Sequence, residues 1–337
     1  MPSYEPSPAR QDGAPRTGLL LVNSGTPDAL TAGAVREFLR RLLSDRRTVE
    51  MPRIFWNPIL YGFILTLRPA KVLPKYRRVW TEAGSPLLLH SVALRDALRA
   101  RLADAPGGPV AVELGMLYST PGVAQGLAAL RDAGARRIIV LPLFPQYSGT
   151  THAAAMDQVG EALRRWRRVP ELHFMDDYAT DAAYIAALAD SVRAHRAQHG
   201  AGEHLLMTFH GIPRKYCDEG DPYRHRCAAT AHALAAALGL DDSQWTMSFQ
   251  SRVGAAEWLK PYTEPTLEEL AGRGVRRLDA ICPGFAVDCL ETVDEIGHEG
   301  NETFRAAGGE SLRYIPALNA GPAHVALLHR LVQPLLG

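Results

Sequence analysis

The sequence predicts an α/β chain built on parallel sheets, and three observations lead there. Short apolar runs recur along the 337 residues and break at Gly or Pro, as Gly18–Asn23 does before Ser24-Gly25-Thr26-Pro27. Helical patterns alternate with those runs, as parallel strands require, because such strands are joined only through crossovers. Two runs also deliver ionisable side chains where they end. One is Thr208-Phe209-His210-Gly211-Ile212-Pro213; the other leads into Pro283-Gly284-Phe285-Ala286-Val287-Asp288-Cys289-Leu290-Glu291-Thr292. Ligands of open α/β sheets bind outside the carboxyl ends of the strands, so His210 and the carboxylates are predicted to face a cleft suited to metal and proton chemistry.

In chain order, Gly18–Asn23, Val110–Met116, Arg137–Leu143 and Glu171–Met175 are predicted strands, with helices over Gly122–Ala133 and Thr151–Arg167. A long helix over Asp181–His199 leads to a second series of strands at His204–Phe209, Trp245–Gln250, Leu278–Cys282 and Leu312–Ile315. Helices over Tyr223–Leu238, Thr266–Arg273 and Asp288–Ala306 lie between these, and Pro322–Leu335 closes the chain. Two doubly wound lobes of four parallel strands follow, the first over 17–177 and the second over 178–320. The segment 321–337 is expected to pack back on the first lobe. Residues 1–16, rich in Pro, Ala and charge, are expected to be disordered. The apolar segment 44–86 is too long for a plain connection and is predicted to be an insertion covering a site.

Composition narrows the class. Hydrophobic content is 47%, charged content 22% and formal net charge +1, which fits a soluble globular protein and not a general nucleic-acid binder. The N-terminus has no apolar core of a signal peptide, and Ile54–Leu67 is too short to span a bilayer, so a cytoplasmic location is expected. The 4 cysteines, Cys217, Cys227, Cys282 and Cys289, form no C-x-x-C pair, so thiols are expected and an iron–sulfur cluster is not. Arg164-Arg165-Trp166-Arg167-Arg168 reads as a solvated helix end.

His210 has the side chain to accept a proton or to ligate a metal. Asp288, Glu291, Glu295, Glu299 and Glu302 are spaced three, four, four and three apart, which places them on one face of a regular helix. Such an acidic stripe is either a solvated face or a path for a hard divalent cation.

At this point the chain resembles the ferrochelatase family. The resemblance rests on Leu19–Asn23 with Gly25-Thr26-Pro27, Tyr76-Arg77-Arg78-Val79-Trp80, Gly84-Ser85-Pro86-Leu87 and Phe144-Pro145-Gln146-Tyr147-Ser148. It continues through Phe209–Pro213, Gly220–Tyr223, Phe249-Gln250-Ser251-Arg252, Trp258–Thr263, Pro283-Gly284-Phe285, Asp288–Thr292 and Tyr314–Asn319. It implies two Rossmann-like lobes with four-stranded parallel sheets, a class II chelatase-like fold, and insertion of Fe²⁺ into protoporphyrin IX to give protohaem. It further implies catalytic roles for His210 and Glu291 and a metal path of His210, Glu291, Asp288 and Glu295. Ser24, Arg77, Arg78, Tyr147, Ser148, Trp258, Tyr262 and Phe285 are implied on the porphyrin, with Arg77 and Arg78 meeting its propionates. Fe²⁺ would be a substrate, with no cofactor required. The insertion would be a lip making at most peripheral membrane contact, through Phe55, Trp56, Leu60 and Tyr61, on a monomeric protein.

The residue types suit that reaction. Metal entry requires two pyrrole protons to leave and the ring to bend; an imidazole can take protons, and carboxylates can deliver Fe²⁺. His210 as base, as last ligand, or as both is consistent with the sequence. Three positions depart from the family pattern: Ser24 where a larger residue precedes Gly-Thr-Pro, Leu117 where an arginine is usual, and Ala179 where a histidine is common. A paralogous chelatase for another metal or tetrapyrrole, and a non-catalytic haem or porphyrin binder, are therefore competing readings. No ATP-binding or dinucleotide-binding glycine motif is present to suggest nucleotide chemistry.

Overall fold

Eight strands form where the apolar runs fall, in a computed structural model that describes residues 4–6, 17–105, 107–254 and 256–336. They make two four-stranded sheets, all parallel, in two separate compact units. The first unit holds the described residues up to Leu143, Gly149–Asp176 and the chain from Ala320 onward. The second holds Phe144–Ser148 and Asp177–Asn319.

In the first unit, β1 (Thr17–Asn23), β2 (Val110–Met116), β3 (Arg137–Pro142) and β4 (Glu171–Phe174) lie in the order β2-β1-β3-β4. Leu19 to Val22 are fully buried, as expected of a central strand covered on both faces. The helix Ala32–Ser44 starts at Thr31, whose hydroxyl accepts from the Ala34 amide and satisfies one of the helix's orphan donors. The closing helix Pro322–Val332 packs on the helix Pro86–Arg101.

In the second unit, β5 (His204–His210), β6 (Trp245–Gln250), β7 (Arg277–Ile281) and β8 (Ser311–Ile315) repeat the arrangement as β6-β5-β7-β8. Each sheet therefore reverses direction beside its first strand, between β1 and β3 and between β5 and β7. The carboxyl ends at such a reversal form a ready-made binding crevice.

Several local expectations change. The expected disordered segment 1–16 lies mostly outside the described residues; Glu5, which is described, donates to the Arg165 carbonyl at 2.7 Å and accepts from the Arg167 amide at 2.9 Å. The helix expected over Thr151–Arg167 is a π-helix over Gly149–Ala153 followed by an α-helix that stops at Leu163. Arg164 caps its end, and Arg165, Arg167 and Arg168 beyond it are exposed, as expected of a solvated helix end; Trp166 alone turns inward, with the Arg131 guanidinium 5.0 Å above its ring.

The insertion carries helices over Arg53–Ile59, Leu60–Ile64 and Leu65–Val79, the middle one in π geometry. Trp56 and Leu60, expected on its outer face, are buried instead; the Trp56 indole donates to the Leu43 carbonyl at 2.7 Å, a partner that a lipid-facing ring would lack. The exposed large apolar side chains of its described residues are Met51, Ile54, Phe55, Ile59, Tyr61, Phe63 and Leu67. Among the described residues no helix is long and apolar enough to cross a membrane.

The helix expected over Asp288–Ala306 is three pieces. A single turn, Leu290–Thr292, leads into a π-helix over Val293–Gly300 and an α-helix over Asn301–Ala306. Asp288 precedes all three, because Cys289 before the first turn is extended. Ile296 and Phe304 enter the core formed by Leu206, Leu267, Leu278 and Leu312. Burying two such side chains contributes about 1.5–3 kcal/mol each, whereas like-charge pairs on a helix cost only about 0.2–0.5 kcal/mol. Burial wins, and the segment that carries the acidic row packs its apolar side chains on the sheet.

Candidate active site

His210 is the last residue of β5, at the reversal point of the second sheet. Its Nδ1 lies 2.6 Å from the carbonyl oxygen of Gly211. A carbonyl only accepts, so Nδ1 carries the hydrogen and Nε2 presents a lone pair. Gly211 is required here, since an added Cβ would meet the Gln250 carbonyl at 2.9 Å and the Trp258 ring at 3.1 Å. The His210 carbonyl in turn accepts from the Tyr223 hydroxyl at 2.9 Å.

Trp258 stands beside His210, with ring centroids 6.4 Å apart. Its loop is tied down by a bridge between Pro213 and Trp258 and by the Phe249 amide, which donates to the Pro261 carbonyl at 2.8 Å. Tyr262 carries the Arg252 guanidinium 4.8 Å above its ring. Phe285, after β7, is partly buried against the core of this unit.

Gln250, the last residue of β6, links the histidine to the acidic row. It pairs with His210 in register, and its Nε2 donates to the Glu291 carbonyl at 2.7 Å while its Oε1 accepts from the Thr208 hydroxyl at 3.2 Å. Glu295 accepts from the Ser251 hydroxyl, and Ser251 is held at φ +66°, a left-handed conformation unusual for a serine. Exposure grades along the row: Asp288 is buried, Glu291, Glu295 and Glu299 are half-buried, and Glu302 is exposed. Asp294, which the spacing did not single out, is fully buried.

Asp288, expected among the metal ligands, is buried and its carboxylate is engaged by the protein itself. Its carboxylate accepts from the Tyr314 hydroxyl at 2.5 Å, Thr292 at 3.0 Å, the Ala317 amide at 3.2 Å and the Asn319 amide side chain at 2.7 Å. Three of the four donors converge on Oδ1, and Asn319 alone reaches Oδ2. Among the described residues, no three or more His, Cys, Asp or Glu side chains are arranged to hold a metal ion.

Tyr147 and Ser148 belong to the same unit; the Tyr147 amide donates to Asp177 at 3.4 Å and the Ser148 hydroxyl to Asp221 at 2.9 Å. Gln146 beside them is buried and donates to Thr230 at 2.9 Å. Arg77 and Arg78 belong to the first unit, exposed in the last turn of the helix Leu65–Val79. Ser24 follows β1 and is half-buried. Of the departures from the family pattern, Leu117 and Ala179 are buried; the Ala179 carbonyl accepts from Thr230 at 2.8 Å.

All 4 cysteines are free thiols, and burial pushes Cys227, Cys282 and Cys289 well above the ordinary thiol range. Gln250, Tyr314 and Asn319 carry roles that spacing did not reveal, although all three lie in segments on which the resemblance rests. A polar residue ending a buried strand was the one signal available for Gln250.

Solved structures with the same fold include two chelatases. SirB from Bacillus subtilis with Fe³⁺ matches 94% of this chain and 95% of its own at a TM-score of 0.57. CbiX, described as the terminal enzyme for biosynthesis of siroheme in denitrifying bacteria, matches 96% and 100% at 0.52. Both are 12% identical in sequence, a likeness of fold alone.

The chain belongs to the ferrochelatase family, whose model matches residues 16–335. The ferrochelatase of Thioalkalivibrio sulfidiphilus is 52% identical over 94% of this chain and 85% of its own length. That of Aeromonas hydrophila is 51% identical over 94% and 98%. The protein is a porphyrin metal chelatase, a lyase that acts in haem biosynthesis by inserting Fe²⁺.

Proposed function

We propose that His210 accepts the pyrrole protons of protoporphyrin IX at Nε2 and that Glu291 and Glu295 deliver Fe²⁺ to the ring. The overall change is balanced: the free-base porphyrin and Fe²⁺ give protohaem and two protons. The observation that carries this reading is the bond from His210 Nδ1 to the Gly211 carbonyl, which leaves Nε2 as the basic nitrogen. The half-buried acids Glu291, Glu295 and Glu299 supply oxygens that exchange with the hydration shell of the incoming ion.

Trp258, Tyr262 and Phe285 supply aromatic faces for the macrocycle, and Tyr147, Ser148 and Ser24 complete its contacts. Arg77 and Arg78 pair with propionates, a carboxylate-to-guanidinium match that lysine would make less well. The protein acts as a cytoplasmic monomer that touches the membrane surface through Ile54, Phe55, Tyr61, Phe63 and Leu67. The exposure of those side chains supports the last point.

The test is anaerobic metal insertion with purified protein, Fe²⁺ and protoporphyrin IX, followed through the Soret band. Turnover by wild type that collapses in His210→Ala and Glu291→Gln is expected. Porphyrin binding without turnover would point to another metal or tetrapyrrole. Stable haem ligation by His210 without insertion would make the protein a haem carrier.

A further inference from the structure

We infer that Asp288, itself held by Asn319, is a positioning residue that fixes the turn bearing Glu291 through Thr292, and that it neither ligates iron nor carries a proton; this rests on the chelatase reading above. Asp288 and Asn319 bond each other twice. The Asn319 side-chain amide donates to Asp288 Oδ2 at 2.7 Å, and the Asp288 backbone amide donates to Asn319 Oδ1 at 2.8 Å. A third link runs from the Asn319 backbone amide to the Ala286 carbonyl at 3.1 Å.

The pair fastens the loop after β7 to the loop after β8. Asn319 adopts φ +49°, a left-handed conformation that asparagine tolerates better than most residues and that brings both its amide ends to the partner. The other oxygen of Asp288 fixes the neighbouring elements: Tyr314 at 2.5 Å on the sheet, the Ala317 amide at 3.2 Å and Thr292 at 3.0 Å. Thr292 follows Glu291 directly, and its hydroxyl also accepts from the Cys289 amide at 3.0 Å. The single turn that bears Glu291 is thereby clamped at both ends. An ion at Oδ1 would have to displace Tyr314, Thr292 or the Ala317 amide, leaving buried polar groups unpaired.

The two possible roles of Asp288 separate in a swap. D288N keeps an oxygen for Tyr314, Thr292 and Ala317 but sets an amide against the amide of Asn319. Adding N319D supplies an acceptor at that point, which can still take the backbone hydrogen at position 288. Net charge is unchanged between wild type and the double variant.

The measurement is kcat and KM for Fe²⁺ in the anaerobic insertion assay, with thermal midpoints alongside. D288N and N319D alone are expected to lower kcat about 10- to 100-fold with KM for Fe²⁺ little changed, the cost of losing an outer support. The double variant is expected to recover about tenfold, the coupling of two groups in direct contact. A wild-type-like D288N, or a folded double variant as impaired as D288N, would overturn the inference and make the carboxylate itself the functional group. Should D288N fail to fold, Tyr314→Phe decides. Removing that donor lowers kcat if Asp288 positions, and leaves or raises it if Asp288 ligates, because an oxygen is freed. A wild type without insertion would overturn the chelatase reading as well, whereas wild-type turnover confines any failure to Asp288.

Discussion

His210 gives its Nδ1 hydrogen to the carbonyl of Gly211, the very next residue, over 2.6 Å. The orientation of the imidazole is therefore set by the Gly211–Ile212 peptide plane, and the plane before it is held by the Gly211 amide, which donates to the Gln250 carbonyl at 2.8 Å.

Gly211→Ala tests that dependence. The new methyl would meet the Gln250 carbonyl at 2.9 Å, so the backbone must move and take the imidazole with it. Stability is expected to fall by about 1–3 kcal/mol in urea titrations, as overpacked sites do. Turnover at a temperature where the variant stays folded should fall further than stability does; unchanged turnover would detach the carbonyl from the chemistry.

Gln250→Leu keeps the bulk of the side chain and removes its polar end. The Glu291 carbonyl loses a 2.7 Å donor and Thr208 loses a 3.2 Å acceptor, although Thr208 keeps Thr263 at 2.8 Å. The expected loss is about 1–3 kcal/mol with a reduced kcat. Equal activity in wild type and variant would show that the Glu291 backbone needs no such support.

His152 makes stability depend on pH. Burial lowers its pKa from 6.5 to about 4, against a smaller upward pull from Asp176. The folded protein thus holds it neutral while the unfolded chain takes up a proton below about 6.5. Its contribution is whole above pH 6.5 and is lost as pH falls through about 4, roughly 3 kcal/mol in all. Unfolding free energies measured at pH 7 and pH 5 should differ less in His152→Leu than in wild type.

The insertion separates surface from core in adjacent residues. Phe55 and Phe63 are each 66% exposed, so Phe55→Ser with Phe63→Ser should change stability by no more than about 0.5 kcal/mol while lowering co-sedimentation with lipid vesicles. Trp56→Ala, by contrast, should cost about 3–5 kcal/mol, since the ring is buried and bonded to Leu43. Vesicle binding unaffected by the phenylalanine changes would refute a lipid-facing role for this face.

The frame was legible because its strands are buried on both faces and short enough to end where Gly or Pro stands. Val110–Met116, Trp245–Gln250 and the helix Tyr223–Leu238 fall where the sequence alone places them. The π-helix Val293–Gly300 was not legible, because acids at spacings of three and four fit an ordinary helix equally well. Nor could the inward turn of Trp56 be read from a stretch that is apolar on every side. The partners of Asp288 were hidden for another reason: three of its donors come from residues 26 to 31 positions away, beyond any local pattern.

The acidic row also sorts the effect of salt. Glu302 at its outer end stands in water, while Glu291 and Glu295 are half-covered and Asp288 is enclosed. Mobile counter-ions screen exposed charges over about 8–10 Å at ordinary ionic strength and reach covered ones far less. On the iron path proposed above, raising the salt would weaken the pull on a distant cation and leave Glu291 and Glu295 nearly as attractive as before. Capture and commitment respond differently to one variable, so a salt titration tells the arrival of an ion from what happens after it arrives.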